Sequence, residues 1–551
     1  MVAGRLLRAG HLALWMVGLC PWTWPALAAE SETLLLHARS RVAAAPGSTE
    51  YRVSEQVLRW DPARTAVIIC DMWDRHWCQG ATERVAAMAP QANAFVRAAR
   101  NRGVLVIHCP SDTLKTYADT PQRLLAQLAP QTELRVPVQG WSGRDPEREP
   151  PLPIDDSDGG CDDTPTCAQG SPWTRQIDTI EIHDGDAISD SAEVLHLMAQ
   201  RGIENAMILG VHLNMCVLGR PFGIRQLVRQ GKNVVLVRDL TDTMYNSRRR
   251  PEVNHFTGTD LMIEHVEKYW CPSITSTDLL GGPPFRFPAD TRPRVLILIG
   301  EDEYLTWETL PRFAAQHLLP RGYAVDIVHE RSDDYGVFPT LERALPEADL
   351  LWLSLRRRGL PVAQLQAIRQ HLEGGRPLLA IRTSSHAFAP RGAMADAVRD
   401  GRRAAWTDFD PVVLGGNYQG HHGSGPVTAI FRTPVGISHP ILEGIEPEWL
   451  SVASLYKTGP LVADAVALLL GTIPGQPSEP LAWIRSYGPR QARVFYTSLG
   501  HVEDFAEPRF QRLLSQAIRW ALTGPDTTQG SAARPTHGRN RQTTGVDPGP
   551  Y

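Results

Sequence analysis

Short, mostly apolar runs alternate with longer amphipathic stretches in the first half of the chain. The predicted strands are TAVIIC (65–70), GVLVIHC (103–109), DTIEIH (178–183), AMILG (206–210) and NVVLV (233–237). Apolar residues at helical spacing follow the first run, with Pro90 as an interruption, and a second helix is predicted over 217–231. Strand, helix and strand in this order indicate a parallel sheet with helical crossovers.

The same alternation restarts after a proline-rich connection, GGPPFRFPADTRP (281–293). Its predicted strands are RVLILIG (294–300), AVDIVHE (324–330), DLLWLSL (349–355), PLLAIRT (377–383) and RVFYTSLG (493–500). Helices are predicted near 307–319, 361–373 and 508–522. The pattern therefore predicts an α/β protein with two doubly wound, mainly parallel sheets, in domains 30–285 and 294–525 joined by a linker at 286–293.

Length and composition add a targeting expectation. The 551 residues exceed what one hydrophobic core normally holds. Residues 1–29 have Arg5 and Arg8, a short apolar core and small residues before Glu30, which predicts a signal peptide and a secreted or periplasmic protein. An uncleaved membrane anchor is the alternative, and no later segment predicts a membrane span. Residues 526–551 are predicted to be a disordered tail.

Residues 141–175 interrupt the first domain as a loop insertion rich in Pro, Gly and Asp. Asp156, Asp158 and Asp162 are crowded there, which predicts either a calcium site or a solvated acidic loop. Cys161 and Cys167 are close enough in sequence to form a disulfide in an oxidising compartment. Seven cysteines remain after signal removal, so at least one thiol stays free.

Ligands of open parallel sheets bind at the carboxyl ends of the strands. The candidate residues at those ends are Asp71, Lys115, His183 and Cys216. Cys216 opens a predicted helix, where the helix dipole would acidify its thiol and free N–H groups could hold an oxyanion. Asp71 could then take the thiol proton. A buried Cys216 that only fills the core is the alternative.

Three segments resemble the isochorismatase-like cysteine hydrolase family over about residues 62–280. They are AVIICDMWDRHW, VLVIHCPSDT and RGIENAMILGVHLNMCVLGRPFGIRQLVRQGKNVVLVRDLTDT. That family hydrolyses amide-type C–N bonds through a thioester, although some members lack the cysteine. The resemblance implies that Asp71 is the base and Cys216 the nucleophile. It also implies a cis peptide bond between Val211 and His212.

The family's lysine is missing at its usual position, which here holds His183. Either His183 takes the role of the lysine, or Lys115 reaches in from another loop, or the triad is incomplete. The nicotinamidase subgroup of the family also binds a metal through an aspartate and two histidines. Asp74 and His76 are a weak suggestion of such a site.

The second block carries no cysteine, which excludes glutaminase chemistry of the class I amidotransferase type. Its segments RVLILIGEDEYLTWETLP, AIRTSSHAF, VLGGNYQGHHG and RVFYTSLGHVEDF resemble the ThuA-like (trehalose utilisation) family over about 294–523. That family has a flavodoxin- or amidotransferase-like fold without the triad and is associated with sugars, including keto-sugars. The resemblance implies a cleft lined by Glu301, Glu303, His386, Asn417, His421, His501 and Asp504. The histidines could bind a divalent metal, act as acid/base groups or bind sugar hydroxyls.

These features predict an exported cysteine hydrolase whose second domain binds or processes sugars. One alternative makes the ThuA-like domain the active one, on a glycoside or keto-sugar, with a degenerate first domain. Another is a non-enzymatic carbohydrate-binding surface protein. The expected partner is a small molecule, and an oligomer stays open. Nucleic acid is not expected, because the net charge is −4 and no basic stripe with interleaved aromatics occurs.

Overall fold

The computed structural model describes residues 33–43, 48, 50–423 and 425–523. The predicted signal peptide and the predicted tail lie outside these residues. The described chain forms two α/β regions, each built around its own large sheet. Within the described ranges, every helix is too short or too polar to cross a lipid bilayer.

The first sheet contains eight strands. They are β1 Leu34–Ala43, β2 Tyr51–Trp60, β3 Thr65–Cys70, β4 Leu105–Cys109, β5 Ala187–Ile188, β6 Asn205–Gly210, β7 Asn233–Thr241 and β8 Ser273–Ile274. Their order is β2-β1-β8-β7-β6-β3-β4-β5. Strands β3 to β8 pair in parallel, and β1 is antiparallel to both neighbours. The β1–β2 hairpin is absent from the strands predicted above, because its charged positions hide the apolar alternation.

Six α-helices accompany this sheet. They are α1 Gln79–Asn101, α2 Pro121–Gln127, α3 Glu193–Gln200, α4 Ile224–Arg229, α5 His255–Tyr269 and α6 Thr277–Leu280. The helix predicted over 217–231 is instead a π-helical turn, Leu213–Val217, followed by α4. Pro221 and Gly223 separate the two pieces, since proline has no N–H to donate. The predicted strand at 178–183 is irregular chain.

The second region has a nine-stranded sheet and a separate two-stranded ladder. The strands are β9 Arg294–Gly300, β10 Ala324–His329, β11 Leu350–Leu355, β12 Leu378–Ile381, β13 His421–His422, β14 Thr428–Arg432, β15 Glu448–Ser451, β16 Leu455–Tyr456, β17 Val466–Thr472, β18 Glu479–Tyr487 and β19 Ala492–Thr497. The large sheet runs β10-β9-β11-β12-β19-β18-β17-β14-β15, and β13 pairs with β16. The first five strands are parallel, and the remaining pairs are antiparallel.

Five α-helices belong to the second region. They are α7 Thr306–Phe313, α8 Leu341–Ala344, α9 Val362–Glu373, α10 Ala393–Arg399 and α11 Pro508–Leu522. Both large sheets are covered on both faces by buried apolar clusters, which include Phe95 in the first region and Trp352 in the second. Burying one large apolar side chain contributes about 1.5–3 kcal/mol. These cores hold the carboxyl ends of the parallel strands in place.

The β1–β2 hairpin of the first region packs against the second region. Strand β2 lies against β10, so two sheet edges face each other. The Arg52 guanidinium lies 4.0 Å from the Trp307 ring centre, and Arg39 Nη1 lies 3.7 Å from Asp326 Oδ1. The hairpin is therefore the bridge between the two sheets.

Candidate functional site

Asp71 follows β3 directly and is fully buried. Its backbone is left-handed, with φ of 47°, a conformation that non-glycine residues adopt only where the surroundings impose it. The Ser111 N–H donates to Asp71 Oδ1 at 2.8 Å. Burial raises the pKa of Asp71 to about 6, although the Arg220 charge and the Cys216 thiol oppose the rise. A carboxyl group with a pKa near 6 can accept and return a proton near neutral pH.

Cys216 is the fourth residue of the π-helical turn, and only 9% of it is exposed. Burial raises the pKa of its thiol well above the usual range, and the Asp71 charge raises it further. The predicted acidified thiol is therefore wrong. The π-helical turn is too short to provide the dipole of a long helix. The charge of the buried Asp71 carboxylate therefore has the larger effect on the thiol pKa. The thiol needs a base to become a nucleophile.

The peptide bond between Val211 and His212 is cis, in agreement with the resemblance. The His212 carbonyl oxygen accepts hydrogen bonds from the N–H groups of Met215 and Val217, at 3.0 and 3.2 Å. These two amides are engaged within the turn. They do not supply the free oxyanion donors that the sequence predicted for this segment.

Arg220 supplies the positive charge of this site. It follows Cys216 by one turn, and its backbone N–H donates to the Cys216 carbonyl oxygen at 3.0 Å. Its Nε lies 3.5 Å from Asp71 Oδ2, and its Nη2 donates to Asp112 Oδ2 at 3.0 Å. The negative charges of Asp71 and of the Cys216 thiolate raise the pKa of Arg220, so the three groups share one site. The sequence pattern does not indicate Arg220, because the family motif points to a lysine or its substitute at a strand end.

Among the described residues, neither predicted substitute for the lysine forms an ion pair with Asp71, which instead pairs with Arg220. The His183 side chain is 49% exposed, and its Nε2 lies 3.1 Å from Glu181 Oε2. The prediction for His183 fails because its segment is not a strand and turns outward. Lys115 is exposed in a 3₁₀ turn, Leu114–Tyr117, and makes no ion pair with any described residue. Cys216, Asp71 and Arg220 are thus the residues brought together.

The suggested metal site at Asp74 and His76 is wrong. The Asp74 carboxylate accepts hydrogen bonds from the Thr174 N–H and hydroxyl, at 2.9 and 2.6 Å. His76 Nδ1 accepts from the Cys78 N–H at 3.2 Å. Both side chains therefore use their polar atoms to fix the local chain. Among the described residues they belong to no group of converging metal ligands.

Aromatic side chains from the insertion cover the site. Trp173 stacks on Trp73 with ring centres 4.4 Å apart, and the His76 ring lies 5.7 Å from that of Trp173. Trp141 lies so close to Gly219 that a Cβ added there would be 2.7 Å from the indole. Residues 141–175 thus form a lid of aromatic groups over the carboxyl edge of the sheet.

Each of the three acidic residues of the insertion accepts a hydrogen bond from a different part of the protein. The pairs are Asp156 with Asn214, Asp158 with Asn246, and Asp162 with Ser247. Arg248 and Arg249 lie within 4 Å of these carboxylates and offset their charge. Asp156, Asp158 and Asp162 do not converge, as far as the described chain goes, so the calcium prediction is wrong. Cys161 and Cys167 are free thiols, which contradicts the predicted disulfide.

The carboxyl edge of the second sheet also has a defined centre. Arg382 follows β12 with a φ of 47°, at the start of a 3₁₀ turn, Arg382–His386. Its guanidinium lies 4.2 Å from the Tyr456 ring centre and 4.7 Å from that of Tyr304. One of its N–H groups donates to the Ser498 carbonyl oxygen at 2.7 Å. A buried arginine between two tyrosines thus occupies the turn after the strand.

His386 lies beside this arginine centre. Its ring centre is 4.5 Å from that of Tyr418, and burial, followed by the charge of Arg357, lowers its pKa to about 3. The Tyr418 N–H donates to Asp410 Oδ2 at 2.9 Å, and burial raises the pKa of Asp410 well above its usual range. The edge therefore presents a neutral imidazole and tyrosine rings next to fixed arginines.

Comparison with protein families gives a match for this second region. Residues 325–521 match the ThuA family, described as trehalose utilisation. Residues 325–521 form a ThuA-like domain. No curated protein matches the chain.

Solved structures match both regions at low identity. A ThuA-like protein from Bacteroides uniformis is 15% identical, and the match covers 44% of this chain and 96% of that one at a TM-score of 0.34. A cysteine hydrolase from Pseudomonas syringae pv. phaseolicola is 17% identical, with 41% and 96% covered and a TM-score of 0.27. An isochorismatase family protein from Burkholderia thailandensis is 12% identical, with 39% and 94% covered and a TM-score of 0.22.

Two acidic residues predicted to line the cleft of the second region instead shape its loops. Glu301 accepts hydrogen bonds from the N–H groups of Tyr304 and Thr306, at 2.7 and 2.8 Å. Asp504 accepts from the N–H groups of Gly500 and His501, both at 2.9 Å. Their oxygens are committed to backbone amides and to the hydroxyls of Thr306 and Ser451, so they position the edge rather than a ligand.

Of the remaining residues predicted for the cleft of the second region, some are exposed and others lie near Arg382. Asn417 and His421 are exposed, and Glu303 pairs with Arg356 at 2.6 Å. His501 faces Tyr304 with ring centres 5.5 Å apart. Within the described ranges, His386, His421 and His501 do not converge as metal ligands. The tyrosines and Arg382 were missed from sequence, because neither residue type is a usual signal of chemistry at a strand end.

Proposed function

We propose that the first domain hydrolyses amide-type C–N bonds with Cys216 as the nucleophile. The observation that carries the proposal is the meeting of Cys216, Asp71 and Arg220 at the carboxyl edge of the first sheet, with Arg220 Nε 3.5 Å from Asp71 Oδ2. The three groups are the nucleophile, base and cation that thioester chemistry needs. The resemblance of the surrounding segments to cysteine hydrolases supports the same reaction.

In the proposed cycle, ionised Asp71 takes the proton of the Cys216 thiol, and the thiolate attacks the substrate carbonyl carbon. The Arg220 guanidinium stabilises the thiolate, because its charge lowers the pKa of Cys216 against the effect of burial. The C–N bond breaks as protonated Asp71 returns the proton to the leaving amine. Water then attacks the thioester, again with Asp71 as base, and releases the acid.

The test is amine or ammonia release from a panel of small amides by the full chain. Cys216→Ala should lower kcat/KM by about 10³-fold or more, because it removes the proposed nucleophile. Intact-mass analysis during turnover should show an acyl group mapped to Cys216. Cys271→Ala is the matched control, since Cys271 is also buried but lies outside the site. Turnover that survives in Cys216→Ala above a tenth of wild type would reject the proposal.

We further propose that the ThuA-like domain binds sugars at the carboxyl edge of its parallel strands. The supporting observation is the group of tyrosine rings beside His386 and Arg382, with Tyr418 4.5 Å from His386. Tyrosine faces pack against sugar rings, and arginine N–H groups donate to hydroxyl or keto oxygens. The family description of trehalose utilisation suggests trehalose and keto-sugars as the first ligands to test.

Calorimetric titration of these sugars into the full chain tests this second function. Tyr418→Ala should weaken binding by about 10-fold, because it removes one stacking face. The hydrolase reaction should be unchanged in that variant. No heat of binding with any sugar, or equal affinity in Tyr418→Ala, would contradict a sugar site at this edge.

A further inference from the structure

Four side chains that the proposed hydrolysis does not use meet beside the start of α1. The Asp163 Oδ2 atom lies 3.3 Å from Cys78 Sγ, 3.6 Å from Cys161 Sγ and 3.2 Å from Cys167 Sγ. Cys78, Cys161 and Asp163 place their ligand atoms within 4.8 Å of one another. Two sulfur atoms and one carboxylate therefore share a space of the size of one coordination sphere, and Cys167 approaches it through Asp163.

The main chain holds these groups in place. Cys78 is the N-cap of α1, and the Gly80 N–H donates to Asp163 Oδ2 at 3.0 Å. A Cβ added at Gly80 would lie 2.7 Å from Asp163 Oδ1, so a larger residue there would displace the carboxylate. Amides at a helix N-terminus stabilise thiolates, which are the metal-binding form of cysteine.

Positive charge is arranged around the cluster. Arg84 interacts electrostatically with Cys78 and Asp163. The Arg248 guanidinium donates to the Asp163 carbonyl oxygen at 3.3 Å. A set of three thiolates and one carboxylate around a divalent cation would carry excess negative charge, and these groups offset it.

We propose that Cys78, Cys161, Cys167 and Asp163 bind one zinc ion that fastens the insertion to the first sheet. Thiolate ligands select zinc over hard cations, and structural zinc sites take four ligands in a tetrahedral arrangement. Binding forms three Zn–S bonds and one Zn–O bond and releases the three thiol protons to solvent. Cys78 comes from α1 and the other ligands from the insertion, so the ion joins the aromatic lid to the strand edge.

The first test measures the metal content of the full chain purified without chelators. Mass spectrometry of the metal should find about one zinc per chain, and Cys78→Ser should lower this below about a tenth. Cys271→Ser, a buried cysteine outside the cluster, is the control and should keep the metal. Cys167 is only partly buried, so Cys167→Ser serves as a second variant if Cys78→Ser fails to fold.

The second test separates zinc from a disulfide, since export would favour cysteine oxidation. Stripped protein is titrated with zinc alone in weak buffer, and proton release is followed. Saturation at about one ion per chain with proton release supports the site. Peptide mapping that finds two of the three cysteines disulfide-bonded in the freshly isolated protein would overturn it. Zinc content that is equal in wild type and Cys78→Ser would also overturn it.

Discussion

At the residue scale, the site of the first domain depends on a cation that cannot lose its proton. A lysine beside a buried carboxylate can titrate, whereas the arginine guanidinium stays charged at every pH the protein can survive. The acid/base changes at the site therefore belong to Asp71 and Cys216 alone. Arg220 also reaches Asp112 at 3.0 Å, which holds its side chain in one place.

The rate of thiol labelling should report how the opposite charges of Asp71 and Arg220 affect the Cys216 thiol. The Asp71 charge raises the pKa of the thiol and the Arg220 charge lowers it. Asp71→Asn should therefore speed iodoacetamide labelling of Cys216 near pH 8 while it abolishes turnover. Arg220→Gln should slow labelling, and Arg220→Lys should restore part of it. Labelling rates mapped by mass spectrometry between pH 6 and 10 check this order, and identical rates in all variants would disprove shared electrostatics.

The pH dependence of the reaction follows from the pKa of Asp71. Burial raises that pKa to about 6, and Asp71 must be ionised to accept the thiol proton. The rate kcat/KM should therefore rise with an apparent pKa near 6 and level off above it. A pH–rate profile measures this limb directly. A rising limb near pH 4 would mean that Asp71 is not the base.

Asp71 should also make the folded protein less stable at neutral pH. Its pKa is near 4 in the unfolded chain and about 6 in the folded one. The folded state holds the proton more tightly, so stability is lost as pH rises from about 4 to 6. Asp71→Asn should raise the free energy of unfolding by about 2–3 kcal/mol at pH 8 and by little at pH 4. Urea unfolding at both pH values measures the difference.

Sequence reasoning identified two of the three residues of this site. Asp71 and Cys216 follow predicted strands, and a carboxylate or thiol at that edge is a recognisable signal. Arg220 lies one turn beyond Cys216, in a segment that sequence alone predicted to be a continuous helix. Its role depends on the break at Pro221 and on the distance to Asp71, and neither can be derived from local pattern.

At the element scale, the insertion 141–175 packs aromatic side chains beside the carboxyl edge of the first sheet. It delivers Trp141 and Trp173 to the site and is fixed by close contact at Gly160. A Cβ at Gly160 would lie 2.2 Å from the Met244 carbonyl oxygen, and the residue has a φ of 73°. The insertion can therefore lie against β7 and its following loop only with glycine at this position.

Gly160→Ala should loosen the insertion without unfolding the sheets. The clash and the left-handed backbone together should cost about 2–4 kcal/mol of local stability. Limited proteolysis should cut within 141–175 at least about 10-fold faster, and hydrolase activity should fall. Gly170→Ala is the matched control in the same insertion, because nothing lies within 4 Å of a Cβ there. Equal cutting in the two variants would show that the contact does not hold the insertion.

Elements with a strong local pattern were predicted well. Strands β3 and β9 and helix α11 have the predicted bounds, because their apolar residues alternate or recur without interruption. The antiparallel strands β14, β15, β17 and β18 were not predicted. Their positions depend on pairing with distant neighbours rather than on their own composition.

At the scale of the whole molecule, the two sheets meet through the β1–β2 hairpin. Arg343 Nη1 donates to Asp278 Oδ1 at 2.7 Å, which joins α8 to α6. Arg39 lies between Glu267 of the first region and Asp326 of the second, at 2.8 and 3.7 Å. Charged side chains thus bridge the two regions at several points, and none of these pairs could be derived from a sequence read one domain at a time.

The meeting of β2 and β10 also bears on aggregation. An exposed strand edge carries unpaired N–H and C=O groups that can pair with another chain. Each region shields the open edge of the other, so each acts as a cap for its neighbour. Either region produced alone, by a cut in 286–293, should self-associate through its bared edge. The full chain should stay monodisperse at the same concentration, as light scattering can measure.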